Sequence, residues 1–238
     1  MARSGQRVDL VAYVQAVPRL LTHPSILIAP LAAAAIALLF DFLGQTMTDP
    51  IGNIGSGIYQ WLATVAFLSA FGIAIIQASH IWRGRRGSFE DAWQEGRGKF
   101  GGILIAAIGF QFALVAASYI GVILGPMLAL LAQLAATFFL IYTMAAASIG
   151  GLPGGAALSG SIRGVRAIPL AAGVLTVAYI FLWIWLPGYV LTLVAPYIGA
   201  YVSPLGFNVL HVLLEALILA YLAFPFAKQY DDVAFRAY

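Results

Sequence analysis

Long apolar runs separated by short polar segments make up most of the chain. About 20 consecutive apolar residues suffice for a helix to cross the ~30 Å apolar core of a bilayer. Gly and Pro at positions 125–126 and 196–206 mark breaks between such runs. The pattern therefore predicts an all-α fold, a six-span transmembrane helical bundle with spans at residues 25–43, 57–79, 101–124, 127–150, 168–195 and 205–227.

The composition supports a membrane protein made of one integral domain over residues 1–238. Hydrophobic residues make up 62% of the chain and charged residues only 9%, with a mean hydropathy of +0.95. A soluble domain carries about 25% charged residues. The chain has no cysteine, which excludes disulfides and cysteine-ligated metal sites. Asp9, Pro18 and Arg19 interrupt what would be the apolar core of a cleavable signal, so we expect a retained N-terminus.

Basic residues are confined to alternate polar segments, which predicts the topology. All twelve fall before span one, between spans two and three, between spans four and five, or after span six: Arg3, Arg7, Arg19, Arg83, Arg85, Arg86, Arg97, Lys99, Arg163, Arg166, Lys228 and Arg236. The other three loops hold no basic residue, and the first of them carries Asp41 and Asp49. By the positive-inside rule, we expect a prokaryotic plasma-membrane protein with both termini cytoplasmic.

Three similar segments precede the span pairs and predict interfacial helices at residues 8–22, 88–97 and 156–166. Each combines a short helical pattern with basic residues and a Pro or Gly before the next span. We therefore expect three parallel repeats, each an interfacial helix followed by a transmembrane hairpin. In the middle segment, Ser88 and Asp91 resemble a capping box, and the glycines predict that the helix ends near Gly96.

His211 and Glu215 are the sharpest candidates for chemistry, four residues apart on one face of span six. Glu215 is the one acid well inside a span, and an ionisable group in the membrane is a functional candidate by default. Asn208 lies about one turn before them. A proton or cation site, a cofactor ligand and a purely structural interhelical hydrogen bond all remain open.

Other motifs point to little chemistry. Three scattered histidines lack metal-ligand spacing, so we expect no metal and no cofactor. No catalytic signature is present, and the basic loops lack the extended aromatic surface of a nucleic-acid-binding protein. The bilayer itself, anionic lipid headgroups and another membrane protein are the expected partners. The candidates for headgroup contact are Arg83, Arg85, Arg86, Arg97, Lys99, Arg163 and Arg166.

Three stretches resemble the membrane domains of the prokaryotic glycerophosphodiester-phosphodiesterase family and related uncharacterised membrane proteins. They are "SFEDAWQEGRGKFGGIL", "LSGSIRGVRAIPLAAGVL" and "FPFAKQYDDVAFRAY". The last ends in a Tyr-Asp-x-Arg-like tail formed by Tyr230, Asp231, Asp232 and Arg236. The resemblance implies a helical-bundle domain without activity of its own. The family's phosphodiesterase chemistry belongs to a separate soluble barrel, so no catalytic residue is carried over.

Three functions remain open from the sequence. The first is a non-enzymatic membrane protein that contacts lipid or a membrane partner. The second is a small-solute or proton-coupled transporter that uses His211 and Glu215. The third is an accessory subunit of an energy-transducing complex in which His211 binds a pigment or haem. A transporter needs a polar cavity reaching Glu215, and further lining candidates are Gln77, Gln111, Gln133, Thr137 and Thr143.

Overall fold

Helices account for nearly all of the described structure, and the predicted all-α fold is confirmed. The computed structural model describes residues 9–46, 54–199 and 201–237, and within them it contains no strand. Six helical segments are long and apolar enough to cross a membrane. Arg3, Arg7 and Asp49, which contributed to the topology prediction, lie outside the described residues.

The helices are numbered along the chain. The first half contains α1 (Leu10–Thr22), a 3₁₀ turn (Pro24–Leu27), α2 (Ile28–Thr46), α3 (Ile54–Trp82) and α4 (Phe89–Leu124). The second half contains α5 (Pro126–Leu140), α6 (Thr143–Ser148), α7 (Gly154–Ala167), α8 (Pro169–Tyr179), a π-helical segment (Ile180–Trp185), α9 (Leu186–Ile198) and α10 (Pro204–Ala237).

Two helices, α3 and α10, form the centre of the bundle. The protein buries 78% of the most apolar window of α3 and 50% of that of α10, against 28% for α4. Helix α10 packs against both α2 and α3, and α4 packs against α3, α5 and α7. Large apolar side chains such as Phe112 and Leu205 remain exposed on the outside. This distribution suits a surface that faces lipid rather than water.

The first and third predicted repeats share one local geometry. Helix α1 ends at His23, with φ −129° and ψ 64°, and Pro24 follows. Helix α7 ends at Ile168, with φ −138° and ψ 66°, and Pro169 begins α8. A proline disfavours helical geometry at the preceding residue, and His23 and Ile168 both have non-helical angles, so each interfacial helix stops and the chain turns into the next span.

The middle segment departs from this geometry, and the predicted helix end near Gly96 is wrong. Helix α4 runs without interruption from Phe89 to Leu124. Gly96 is buried against Ile73 of α3, so its missing side chain allows close packing there. No proline stands in this segment to stop the helix. Tertiary packing therefore outweighs the low helix propensity of the glycines.

Span four is broken where a continuous helix was expected. Helix α5 ends at Leu140, and α6 begins at Thr143. Ser161 of α7 supplies hydrogen-bond partners to two backbone groups at the break. Its hydroxyl donates to the carbonyl of Phe139 (2.9 Å) and accepts from the backbone N–H of Tyr142 (3.0 Å). Irregular backbone at membrane depth is tolerated only where such partners exist.

Spans five and six also differ from their predicted extents. In span five, the irregular segment begins at Ile180, ahead of the Pro187-Gly188 pair expected to kink or end the helix. Helix α10 continues ten residues beyond the predicted end at residue 227, to Ala237. Gln229 and Tyr230 in this extension are buried, so packing against the bundle stabilises a tail that hydropathy alone would place outside.

The basic end of the bundle, defined as the end that carries α1, the α3–α4 loop and the end of α10, is held closed by polar contacts. Arg19 of α1 stacks on the ring of Trp82, 3.8 Å from its centre. The indole N–H of Trp82 donates to the carbonyl of Phe224 (2.9 Å). Arg83 pairs with Asp231 at 2.8 Å. These contacts join α1, α3 and α10.

We expect Ser161→Ala to destabilise the protein more than Ser159→Ala. Ser161 is fully buried, and its loss leaves two backbone groups at the break unpaired, which costs about 1–3 kcal/mol per group. Ser159 lies on the same helix, but it is exposed and bonds only to Ala156 of that helix. Thermal unfolding of both variants in detergent measures the difference. Equal unfolding midpoints would show that the break does not depend on Ser161.

Candidate functional site

A polar cavity of about 290 Å³ lies inside the bundle at the end opposite the basic end. Its walls come from α2, α3, the π-helical segment and α10. Six of its lining side chains carry charge or hydrogen-bonding groups beyond the indole of Trp183: Asp41, Gln60, Thr64, Asn208, His211 and Glu215. An intramembrane cavity with this many polar groups is a functional candidate, since such groups are expensive to place in an apolar medium.

The cavity extends along α10 from near its first residue to Glu215. Glu215 is eleven residues from Pro204, the first residue of α10. At 1.5 Å per residue, this places Glu215 roughly 16 Å along the helix, about half of the ~30 Å apolar core. Substrate and coupling-ion sites of many carriers lie near this depth.

Asp41 and Asn208 close one side of the cavity. The side-chain amide of Asn208 donates to the carboxylate of Asp41 at 3.0 Å, which links α2 to α10. The sequence placed Asp41 near the end of span one, where it contributed to the topology prediction, and did not predict its place in a polar site. Its position in the cavity results from the packing of two helices that are far apart in the chain.

His211 and Glu215 lie on the same face of α10, as their spacing predicted. The Nε2 atom of His211 is 3.5 Å from the Glu215 carboxylate. Their side chains are 37% and 22% exposed, so both are reachable from the cavity rather than sealed in the core. Asn208 lies on the same helix face but pairs with Asp41 rather than with His211 or Glu215.

Two buried donors near the cavity have no hydrogen-bond partner within the described part of the chain. They are the indole N–H of Trp183, which lines the cavity, and the hydroxyl of Tyr179. Trp183 is 8% exposed and Tyr179 is 2% exposed. A buried donor without a partner costs about 1–3 kcal/mol. The indole ring of Trp183 lines the cavity, while its N–H is buried in the cavity wall.

An aromatic layer closes the cavity toward the basic end. Tyr179 contacts Phe110, Trp183 and Phe226, with ring centres 5.0–6.4 Å apart. Phe226 in turn packs edge-on against Phe71 at 4.9 Å. Along α3, Phe71 lies between the cavity residues and Trp82, and along α10, Phe226 lies between the cavity residues and Gln229.

A second polar network lies beside the aromatic layer, between α1 and α10. Gln229 of α10 donates to the hydroxyl of Tyr13 (2.9 Å), and the Tyr142 hydroxyl approaches its side-chain oxygen at 3.4 Å. Tyr221 donates to the backbone carbonyl of Tyr13 (3.1 Å). Burial raises the pKa of the Tyr13 hydroxyl, so Tyr13 is neutral at physiological pH and serves as a hydrogen-bonding group. This network helps to hold α1 against α10.

The cavity offers two carboxylates and one imidazole. Such a set favours a cation and can accept or release a proton. Among the described residues, no group of three or more His, Asp or Glu side chains is arranged to hold a metal ion. The chemistry available from these residues is therefore charge complementarity, hydrogen bonding and proton exchange.

The seven basic residues predicted to contact lipid have different surroundings. Arg83 is paired with Asp231, while Lys99 bonds both Glu95 (2.6 Å) and the carbonyl of Ser148 (2.8 Å). Glu95 also holds His80 at 2.8 Å. The five others are exposed: Arg85, Arg86, Arg97, Arg163 and Arg166.

The extra lining residues expected from the sequence do not line this cavity. They were Gln77, Gln111, Gln133, Thr137 and Thr143. Gln77 instead donates to Ser25 (2.9 Å) and to the carbonyl of Gly87 (2.8 Å) near the basic end. Three other residues line the cavity without having been predicted to do so: Gln60, Thr64 and Trp183. They are single polar or aromatic residues within spans two and five. An amphipathic i, i+4 spacing on α3 was the one signal for the first two.

Neither a protein-family model, nor a curated protein, nor a solved structure matches this chain. The resemblance to the glycerophosphodiester-phosphodiesterase membrane domains therefore stays a prediction. Support for the candidate site comes from the geometry of its own residues.

We expect Asn208→Ala to lower the thermal stability of the protein more than Gln60→Ala. The first removes the amide that donates to the Asp41 carboxylate, and a hydrogen bond to a charged group contributes about 1.5–3 kcal/mol, less where water reaches it. Gln60 lines the same cavity but is exposed. Unfolding midpoints in detergent test this. If the two variants unfold at the same temperature, Asn208 does not stabilise the α2–α10 contact.

Proposed function

We propose that this integral membrane protein is a proton-coupled carrier of a small organic cation. The observation that supports the proposal is the mid-membrane cavity in which Asp41, His211 and Glu215 meet. A transporter was one of three functions left open by the sequence, and such a cavity is the feature that separates it from the other two. In this proposal, the cavity residues bind and release the solute without changing it chemically.

Charge and size both favour a small cation. Asp41 and Glu215 are acids, while His211 is the one basic group that lines the cavity. The rings of Phe67 and Trp183 also line it, and aromatic faces attract organic cations. A volume of about 290 Å³ is at the lower end of the ~300–1,000 Å³ range of ligand pockets, which suits a solute of a few heavy atoms.

The His211–Glu215 pair supplies the proton coupling in this proposal. A bound cation stabilises the ionised form of Glu215, so binding favours release of a proton from the pair. Protonation of Glu215 removes one of the two negative charges and weakens cation binding. Cation affinity should therefore fall as the pH falls.

The same geometry supports a carrier that opens to one side at a time. The cavity lies at one end, and the aromatic layer and the contacts of the basic end close the other. Two irregular helical segments adjoin the aromatic layer: the π-helical segment at Ile180–Trp185 and Pro225 inside α10. Such sites are common positions of bending in helices. We propose that they bend when the basic end opens.

The distribution of basic residues supports a cytoplasmic basic end in a prokaryotic plasma membrane, with the cavity facing outward. On this topology, an inward proton gradient drives export of the cation in exchange for an external proton. An outward proton gradient drives uptake of the cation.

A transport assay with tetramethylammonium tests the proposal, because this permanent cation does not cross a bilayer unaided. We expect proteoliposomes containing the wild-type chain to accumulate labelled tetramethylammonium when an outward proton gradient, acidic inside, is imposed. Glu215→Gln should reduce the initial rate at least about tenfold, corresponding to the loss of about 1.4 kcal/mol of charge interaction. Uptake in the wild type should also slow as the pH outside is lowered.

Glu90→Gln is the matched control. It makes the same chemical change at an exposed acid in the first turn of α4, away from the cavity. Its uptake should equal that of the wild type. Transport by Glu215→Gln at the wild-type rate, or equal losses in both variants, would contradict the proposed role of the cavity.

A further inference from the structure

We propose that the face of α4 formed by Trp93, Arg97 and Phe100 is a binding site for the headgroup of an anionic phospholipid. These three side chains line a separate cleft of about 290 Å³ on the surface of the bundle. The site is independent of the cation cavity, since no residue lines both.

The geometry follows from helical spacing. Positions 93, 97 and 100 are four and three residues apart, so they share one face of α4. Trp93 and Phe100 are 45% and 41% exposed, and Arg97 is exposed between them. Phe89 stacks against Trp93, with ring centres 6.2 Å apart and planes at 23°. Two rings therefore flank a guanidinium group, and one of them is held in place by a neighbour.

The position along α4 places the cleft at the membrane surface. The first eleven residues of the helix, from Phe89 to Lys99, contain five charged side chains, and none follows between residues 100 and 124. The cleft lies at this boundary. Trp side chains favour this interfacial level, where one part of the ring meets apolar chains and the N–H meets headgroups.

The charge indicates which headgroup fits. A guanidinium donates paired hydrogen bonds to phosphate oxygens, and the flanking rings offer apolar surface to the glycerol and the first carbons of the acyl chains. Arg83 and Lys99 are paired with acidic side chains, whereas Arg97 has no acidic partner within the part of the chain that the structure describes. Arg97 lines a cleft together with two exposed aromatic rings.

Native mass spectrometry of the full chain in detergent tests the site, with phosphatidylglycerol and phosphatidylcholine of identical acyl chains as probes. We expect phosphatidylglycerol to bind more tightly. Arg97→Gln should weaken its binding about fivefold, as expected for roughly 1 kcal/mol per basic residue near the surface. Arg85→Gln removes an exposed arginine that lies outside the cleft, so it should leave the affinity unchanged.

A competition measurement with inorganic phosphate distinguishes a lipid site from a site for a free anion. Inorganic phosphate added in excess should not displace phosphatidylglycerol, because it lacks the glycerol and acyl chains that contact the rings. Three outcomes would overturn the proposal: equal weakening by Arg85→Gln and Arg97→Gln, equal affinity for the two lipids, or displacement of the lipid by phosphate. Unfolding midpoints of both variants establish that each is folded.

Discussion

A polar group inside the membrane needs a partner in the protein or in a water-filled cavity, and this constraint accounts for the main irregularities of the bundle. Ser161 supplies both partners at the break between α5 and α6. Asn208 donates to Asp41 across two helices, and His211 lies beside Glu215. The indole of Trp183 departs from the rule, since it is buried in the cavity wall without a partner in the described structure.

The polar and aromatic contacts inside the bundle occur at successive levels along its axis. The cavity comes first, then the rings around Tyr179 and Phe226, and then the contacts of the basic end around Trp82 and Gln229. The aromatic rings therefore lie between the cavity and the contacts of Gln229. A carrier needs such a layer to prevent leakage, and the layer must yield when the solute passes. Pro225, beside Phe226, gives α10 a position at which to bend.

Sequence patterns predicted those features of the fold that depend on residues close together in the chain. Apolar length predicted the spans, and the spacing of His211 and Glu215 placed them on one face. The stops at Pro24 and Pro169 follow from the backbone restriction that proline imposes. The continuity of α4 through Gly96 depends on contact with another helix. Asp41 joins the cavity for the same kind of reason, because its partner is 167 positions away in the chain. Single-sequence patterns do not contain such contacts.

The central claim is that a hydrated cavity reaches Thr64, and cysteine labelling tests it most directly because the chain has no native cysteine. Thr64→Cys and Thr176→Cys form a matched pair, since each threonine hydroxyl bonds to a carbonyl of its own helix and only the second is buried. A membrane-impermeant, positively charged methanethiosulfonate reagent should modify Thr64→Cys in proteoliposomes and leave Thr176→Cys unmodified. Failure to label Thr64→Cys, or equal labelling of both, would contradict the account.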